Sequence, residues 1–123
     1  MSTTDQTLFD WAQAASLLGD DPEQVDDDMS DIVHELIQTS IGRFQELYVL
    51  NPRTEEKAVV SLAHQLRGSL LNFGFTTVGA RLDQIEHGHV KPDEFMSKVE
   101  EAYELFAESV RLLSDRYPSL GIG

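Results

Sequence analysis

The chain has 123 residues, enough for one packed domain, and 41% of them are apolar, which excludes wholesale disorder. Nine Lys and Arg stand against twenty-two Asp and Glu, a net charge of −13, so the surface repels nucleic acid and anionic membranes. The absence of cysteine excludes a disulfide framework, thiol catalysis and thiolate metal sites, and no apolar run nears the roughly 18 residues that span a bilayer.

The N-terminus, MSTTDQT, carries no signal-peptide pattern, so a soluble, cytoplasmic protein is expected. A first short helix is predicted over residues 5–18, with Leu8, Trp11, Ala12, Ala15 and Leu18 on one face and Gly19 ending it. The acidic run GDDPEQVDDDMSD, residues 19–31, reads as a solvated first turn whose carboxylates complement a helix N-terminus. Asp21 is the expected N-cap there, with Pro22 in the opening turn of a long second helix ending near Leu50. Its stripe is Val25, Met29, Ile32, Val33, Leu36, Ile37, Phe44, Leu47 and Tyr48.

Asn51-Pro52 breaks the pattern, because a residue before proline avoids helical angles. A third helix is expected over 53–73, stopped by Gly74, and a shorter fourth over 77–87 with Val78, Leu82 and Ile85 inward. HGHVKP forms a turn, and a last helix over 93–116 buries Phe95, Val99, Ala102, Phe106, Val110 and Leu113. No segment alternates with strand period. Four amphipathic helices with short connections predict an all-α fold, an antiparallel up-and-down four-helix bundle with the short N-terminal helix covering one end. One domain spans 1–123, with 1–4 and 117–123 frayed; the start methionine and such a tail favour a freestanding protein, and a monomer is expected.

The third helix carries the chemistry. With Val59 as origin, Leu62, Ala63, Leu66, Leu70 and Phe73 fall within about 60° and form the core stripe. His64 lies about 140° away, among Lys57, Val60, Gly68 and Leu71, with Arg67 at the edge of the group. The imidazole is therefore exposed, beside two aliphatics that suit a surface covered by another protein. Arg67 and Lys57 can hold an anion next to it. Gly68 costs a helix interior roughly 0.5–1 kcal/mol relative to alanine, a cost explained if something large must approach the ring.

The segment AHQLRGSLLNFG resembles the motif of histidine-containing phosphotransfer (HPt) domains: His, any residue, aliphatic, Lys, Gly, two small residues, then Leu or Phe and Gly. His64, Leu66, Gly68, Ser69, Phe73 and Gly74 match, and LFDWAQAASLLGDDPEQ is similar to that family's opening. Arg67 departs from the usual lysine and Leu70 from a small residue. The resemblance implies a phosphocarrier in a two-component phosphorelay, with His64 carrying the phosphate and Arg67, with Lys57 as a further candidate, serving as oxygen partners. The implied partner is a response-regulator receiver domain, a hybrid histidine kinase, or both. Mg²⁺ would sit on the receiver only, so no cofactor and no metal of its own are expected. Glu86 falls where chemotaxis kinase phosphotransfer domains are similar and carry a glutamate facing the histidine. Read from its position alone, Glu86 is equally a solvated glutamate at a helix end. No nucleotide-binding loop occurs, so autonomous kinase activity is not expected.

Two other classes compete. An HPt-like module that docks partners without carrying phosphate fits the arginine at 67. A metal-binding bundle draws on His87, His89 and His34, but no Glu-x-x-His pair occurs on facing helices as di-iron bundles require.

Overall fold

The computed structural model describes residues 8–19, 21–88 and 90–122. The expected helix start and frayed end before Leu8, Asp20 of the acidic run, His89 of the His-x-His pair and Gly123 lie outside them. The described residues are helical without a strand. Among the described residues five α-helices follow one another: α1 (Trp11–Leu18), α2 (Asp27–Val49), α3 (Glu56–Asn72), α4 (Thr76–Glu86) and α5 (Phe95–Arg116). Short 3₁₀ turns occupy Pro92–Glu94 and Pro118–Leu120. Among the described residues no helix is long and apolar enough to cross a membrane.

Capping chemistry sets the helix starts, and one start is corrected. Asp21 does not cap α2: its carboxylate accepts from the Glu23 amide at 2.9 Å inside a turn. Asp26 takes the cap instead, accepting from the amides of Asp28 at 2.9 Å and Met29 at 3.4 Å. Asp27 and Asp28 then fill the first turn, where the helix presents unpaired N–H groups and favours negative charge. The carboxylates of this segment thus serve a helix terminus, five residues later than Pro22 suggested. The third helix likewise starts at Glu56 rather than Arg53, because Asn51 Oδ1 draws the Arg53 amide (2.9 Å) into a turn after the proline break.

The end of α3 is a Schellman motif. Phe75 N–H donates to the Leu70 carbonyl at 3.1 Å and Gly74 N–H to that of Leu71 at 3.0 Å. Gly74 has φ +90°, and a Cβ there would lie 2.7 Å from the Asp10 carbonyl oxygen. The Asp10 amide in turn donates to the Gly74 carbonyl at 2.8 Å. Only glycine fits where the chain entering α1 crosses the α3–α4 corner.

Each of the four longer helices packs on two of the other three, α2 on α3 and α5 and α4 on α3 and α5, and α2 also meets α1. The inward ridge of α2 is Val33, Ile37, Ser40, Phe44 and Leu47, at alternating spacings of four and three. Ile32, expected inside, sits one residue off this ridge and is 46% exposed. Ala12 also faces out, and Ala14 takes its place in the core. Phe75, absent from every predicted stripe, is fully buried among aromatics. Its ring centroid is 4.6 Å from Phe9 and 5.8 Å from Phe106, and Phe106 lies 5.4 Å from Phe44.

The short helix α1 meets the C-terminal ends of both α3 and α5. Gln13 Nε2 donates to the Asn72 carbonyl at 2.9 Å, and the Arg116 guanidinium lies 4.1 Å over the Trp11 ring. The segment after α5, expected to fray, is packed instead. Tyr117 and Leu120 are buried, His34 Nε2 lies 2.6 Å from the Leu120 carbonyl, and Ser119 Oγ donates to that of Pro22 at 2.9 Å. Two apolar side chains at 117 and 120 close the core, which outweighs the entropy of a free tail.

Candidate functional site

Helices α3 and α4 pack against each other across the Gly74 corner, and their approach has a local cause. At Gly79 an added Cβ would come 2.7 Å from Leu71 Cγ, so the missing side chain lets Leu71 lie directly against α4. This contact brings the α3 residues His64 and Arg67 within reach of the last turn of α4.

His64 projects to solvent, with a side chain 65% exposed. Its Nδ1 nevertheless lies 2.9 Å from Oε2 of Glu86, whose own side chain is only 10% exposed. Arg67 Nε donates to the other Glu86 oxygen at 2.8 Å, and its Nη1 lies 3.5 Å from Asp83 Oδ1. Asp83 also faces His87, whose Nδ1 is 3.0 Å from Oδ1, while His87 Nε2 is 3.8 Å from Glu86 Oε2. Glu86 is thus the centre of the cluster, held from α3 by a ring nitrogen and a guanidinium.

Burial acts to raise the Glu86 carboxyl, but hydrogen bonds from His64 and Arg67, with the charge of both, outweigh it and hold the group below the ordinary carboxylate range. Glu86 is therefore ionised at neutral pH and has no proton to offer. The 2.9 Å contact then requires the proton on Nδ1 of His64, which donates to the carboxylate. In the neutral ring the lone pair sits on Nε2, at the exposed edge. Arg67 Nη2, 3.3 Å from Nδ1, adds positive charge beside the ring rather than a second hydrogen bond to it.

The structure places the other expected site residues around this centre. Val60 and Leu71 are 36% and 39% exposed, forming an apolar border on the His64 face. At Gly68 an added Cβ would meet nothing within 4 Å, so the space above it is open and the glycine serves no internal packing. Lys57 is exposed on the first turn of α3, with no ion pair to the cluster. Arg67, expected to face an anion, spends its Nε and Nη1 on Glu86 and Asp83.

Asp83 and His87 were missed as members of this cluster, although their spacing held a signal. Positions 83, 86 and 87 fall on one helix face at i, i+3 and i+4. Each offers one donor atom within 4.8 Å of the others, a spacing that can hold a cation. The Arg67 guanidinium lies against the same oxygens and already supplies the opposite charge. His34 is remote from the trio, tied to the Leu120 carbonyl. Comparison with protein-family models, with curated proteins and with solved structures finds no match to this chain.

Proposed function

We propose that the protein is a histidine phosphotransfer protein, carrying a phosphoryl group on Nε2 of His64 to or from the aspartate of a response-regulator receiver domain. The observation that carries this reading is the Nδ1 contact with an ionised, mostly buried Glu86, which leaves Nε2 unprotonated and exposed. A ring that merely decorates a surface has no need of a fixed tautomer.

The transfer follows from that geometry. The Nε2 lone pair attacks the phosphorus of the receiver's aspartyl phosphate, the bond from phosphorus to the carboxylate oxygen breaks, and the aspartate leaves as a carboxylate. The ring now carries phosphorus on Nε2 and hydrogen on Nδ1, so it is cationic, and Glu86 lies where it balances that charge. Arg67 holds the other Glu86 oxygen and keeps Nη2 beside the ring, while exposed Lys57 on the first turn of α3 offers a further cation to phosphate oxygens. The open space over Gly68, bordered by Val60 and Leu71, admits the receiver. Mg²⁺ and the acceptor aspartate belong to that partner. The reading carries with it an antiparallel up-and-down four-helix bundle, capped at one end by α1, and a cytoplasmic monomer. The ring of helix contacts and the meeting of α3 and α5 C-termini at α1 support that topology.

The test is incubation with phosphorylated receiver domains, followed by measurement of labelled phosphate on the protein. Acid-labile, base-stable label on His64, absent from His64→Gln, is expected; equal labelling of His64→Gln would falsify the reading. A second reading, docking without phosphate, draws on one observation: Arg67 is engaged by two carboxylates. Receiver binding with no label on His64 would establish that alternative.

A further inference from the structure

The helices that do not carry His64 bear an open apolar trough with an acidic rim. It runs between α2 and α5, with a volume of about 480 Å³, and continues into a second hollow of about 490 Å³ that shares Tyr48 and Val49. Phe44 forms its floor, with Tyr103 standing edge-on to it at 5.4 Å. Val49, at the C-terminus of α2, is 77% exposed, and Met96 and Tyr103 are exposed beside it. Large apolar and aromatic side chains held in water along one groove mark a surface that something covers.

The chemistry of the rim says what. Glu100 and Glu104 line the first hollow and are exposed, and Tyr48 OH donates to Glu100 at 2.8 Å, fixing that carboxylate at the edge; the second hollow has one charged side chain, Arg53, at its far end, so the acidic rim is that of the first. A second copy of this chain would bring its own Glu100 and Glu104 against these, in a molecule of net charge −13. An anionic membrane is repelled in the same way. From Met96 to Glu104 the α5 wall rises about 12 Å, the length of roughly two helical turns.

We propose that the α2–α5 trough docks a cationic amphipathic helix of a partner protein, whose apolar stripe packs against Val49, Tyr103 and Met96 while flanking Lys or Arg side chains meet Glu100 and Glu104. This surface lies apart from the His64–Glu86 cluster on α3 and α4, and it stands whether or not His64 carries phosphate.

The probe is a synthetic helical peptide with leucines at i, i+4 and i+7 and lysines flanking them, titrated into isotope-labelled protein by NMR. A second peptide carries glutamate in place of each lysine. The lysine peptide should shift the Val49, Tyr103 and Met96 resonances, and the glutamate peptide should not. Val49→Asp, an exposed site whose change leaves the core intact, should abolish binding; an unchanged amide spectrum elsewhere confirms its fold. The double variant E100Q/E104Q should weaken binding about five- to tenfold and flatten its salt dependence, as loss of two rim ion pairs implies. Val60→Asp on the His64 face should bind as the parent does. Shifts centred on Asp26–Asp28 or on Glu86, binding indifferent to Val49→Asp, no shift at millimolar peptide, or protein-concentration-dependent broadening of Val49 without peptide would each overturn the proposal.

Discussion

Nδ1 of His64 lies 2.9 Å from Oε2 of Glu86, although the two residues stand 22 apart in the chain and on different helices. The contact exists because Gly79 lets α3 and α4 approach and because the α3–α4 corner turns at Gly74. Its chemical consequence is directional. An ionised carboxylate can only accept, so it selects the ring proton on Nδ1 and leaves Nε2 as the free nucleophile.

Neutral His64 should therefore populate the Nδ1–H tautomer, the opposite of the usual preference of a free imidazole. Long-range ¹⁵N NMR of the ring at alkaline pH reads this directly, since the protonated and unprotonated nitrogens differ widely in shift. In Glu86→Ala the selection disappears and the Nε2–H form should dominate. An Nε2–H ring in the parent protein would sink the assignment.

The same carboxylate predicts a pH dependence of stability. The folded Glu86 sits below the ordinary carboxylate range, so its ionised form favours folding. The contribution is fully present above the unfolded-state value and is lost as pH falls through the folded one. Denaturation midpoints followed from neutral pH into acid should fall more steeply for the parent than for Glu86→Gln. Parallel curves would show that His64 and Arg67 do not stabilise the charged form.

Much of this molecule was legible as periodicity. The α3 stripe of Val59, Ala63, Leu66 and Leu70 and the α4 stripe of Val78, Leu82 and Ile85 are buried as the 3.6-residue repeat requires. The exposure of His64 came from the same count. Periodicity speaks only of faces within one helix, however, and the missed features lie between elements. Phe9 and Phe75 sit in connecting backbone, outside any helical stripe, yet both join the aromatic core. Asp83 and His87 share a face with Glu86, but nothing in their spacing says that Arg67 of another helix reaches that face. The start of α2 turned on which of several aspartates would capture the free amides, and Asp26 won over Asp21 through its two bonds. The segment Tyr117–Leu120 resembled a frayed tail because two isolated apolar residues carry no repeat.

The three glycines of the α3–α4 pair should answer differently to alanine. Gly68→Ala meets open space inside a helix, so it should stabilise the fold by about 0.5–1 kcal/mol and raise Tm by a few degrees. Gly79→Ala collides with Leu71, and Gly74→Ala is strained by its positive φ and by the Asp10 carbonyl. Gly74→Ala should destabilise by roughly 1–3 kcal/mol, and Gly79→Ala should cost less, because the half-exposed Leu71 side chain can swing aside. Calorimetry of the three variants checks the order. If Gly68→Ala is stabilised and yet loses receiver binding or label on His64, the glycine is retained for access rather than for folding.

The C-terminal segment makes the last prediction. Leu120 is buried, its carbonyl is held 2.6 Å from His34 Nε2, and Tyr117 before it is buried as well. Leu120→Ala removes a packed side chain and should cost about 2–5 kcal/mol, the range for leucine deletions in a core that relaxes only in part. His34→Ala removes only the polar partner of an end-of-chain carbonyl and should cost about 0.5–1.5 kcal/mol. Urea denaturation of both variants distinguishes a packed closure from a loosely lying tail. A Leu120→Ala midpoint equal to that of the parent would show that the core closes without this segment, and the His34 contact would then have nothing to anchor.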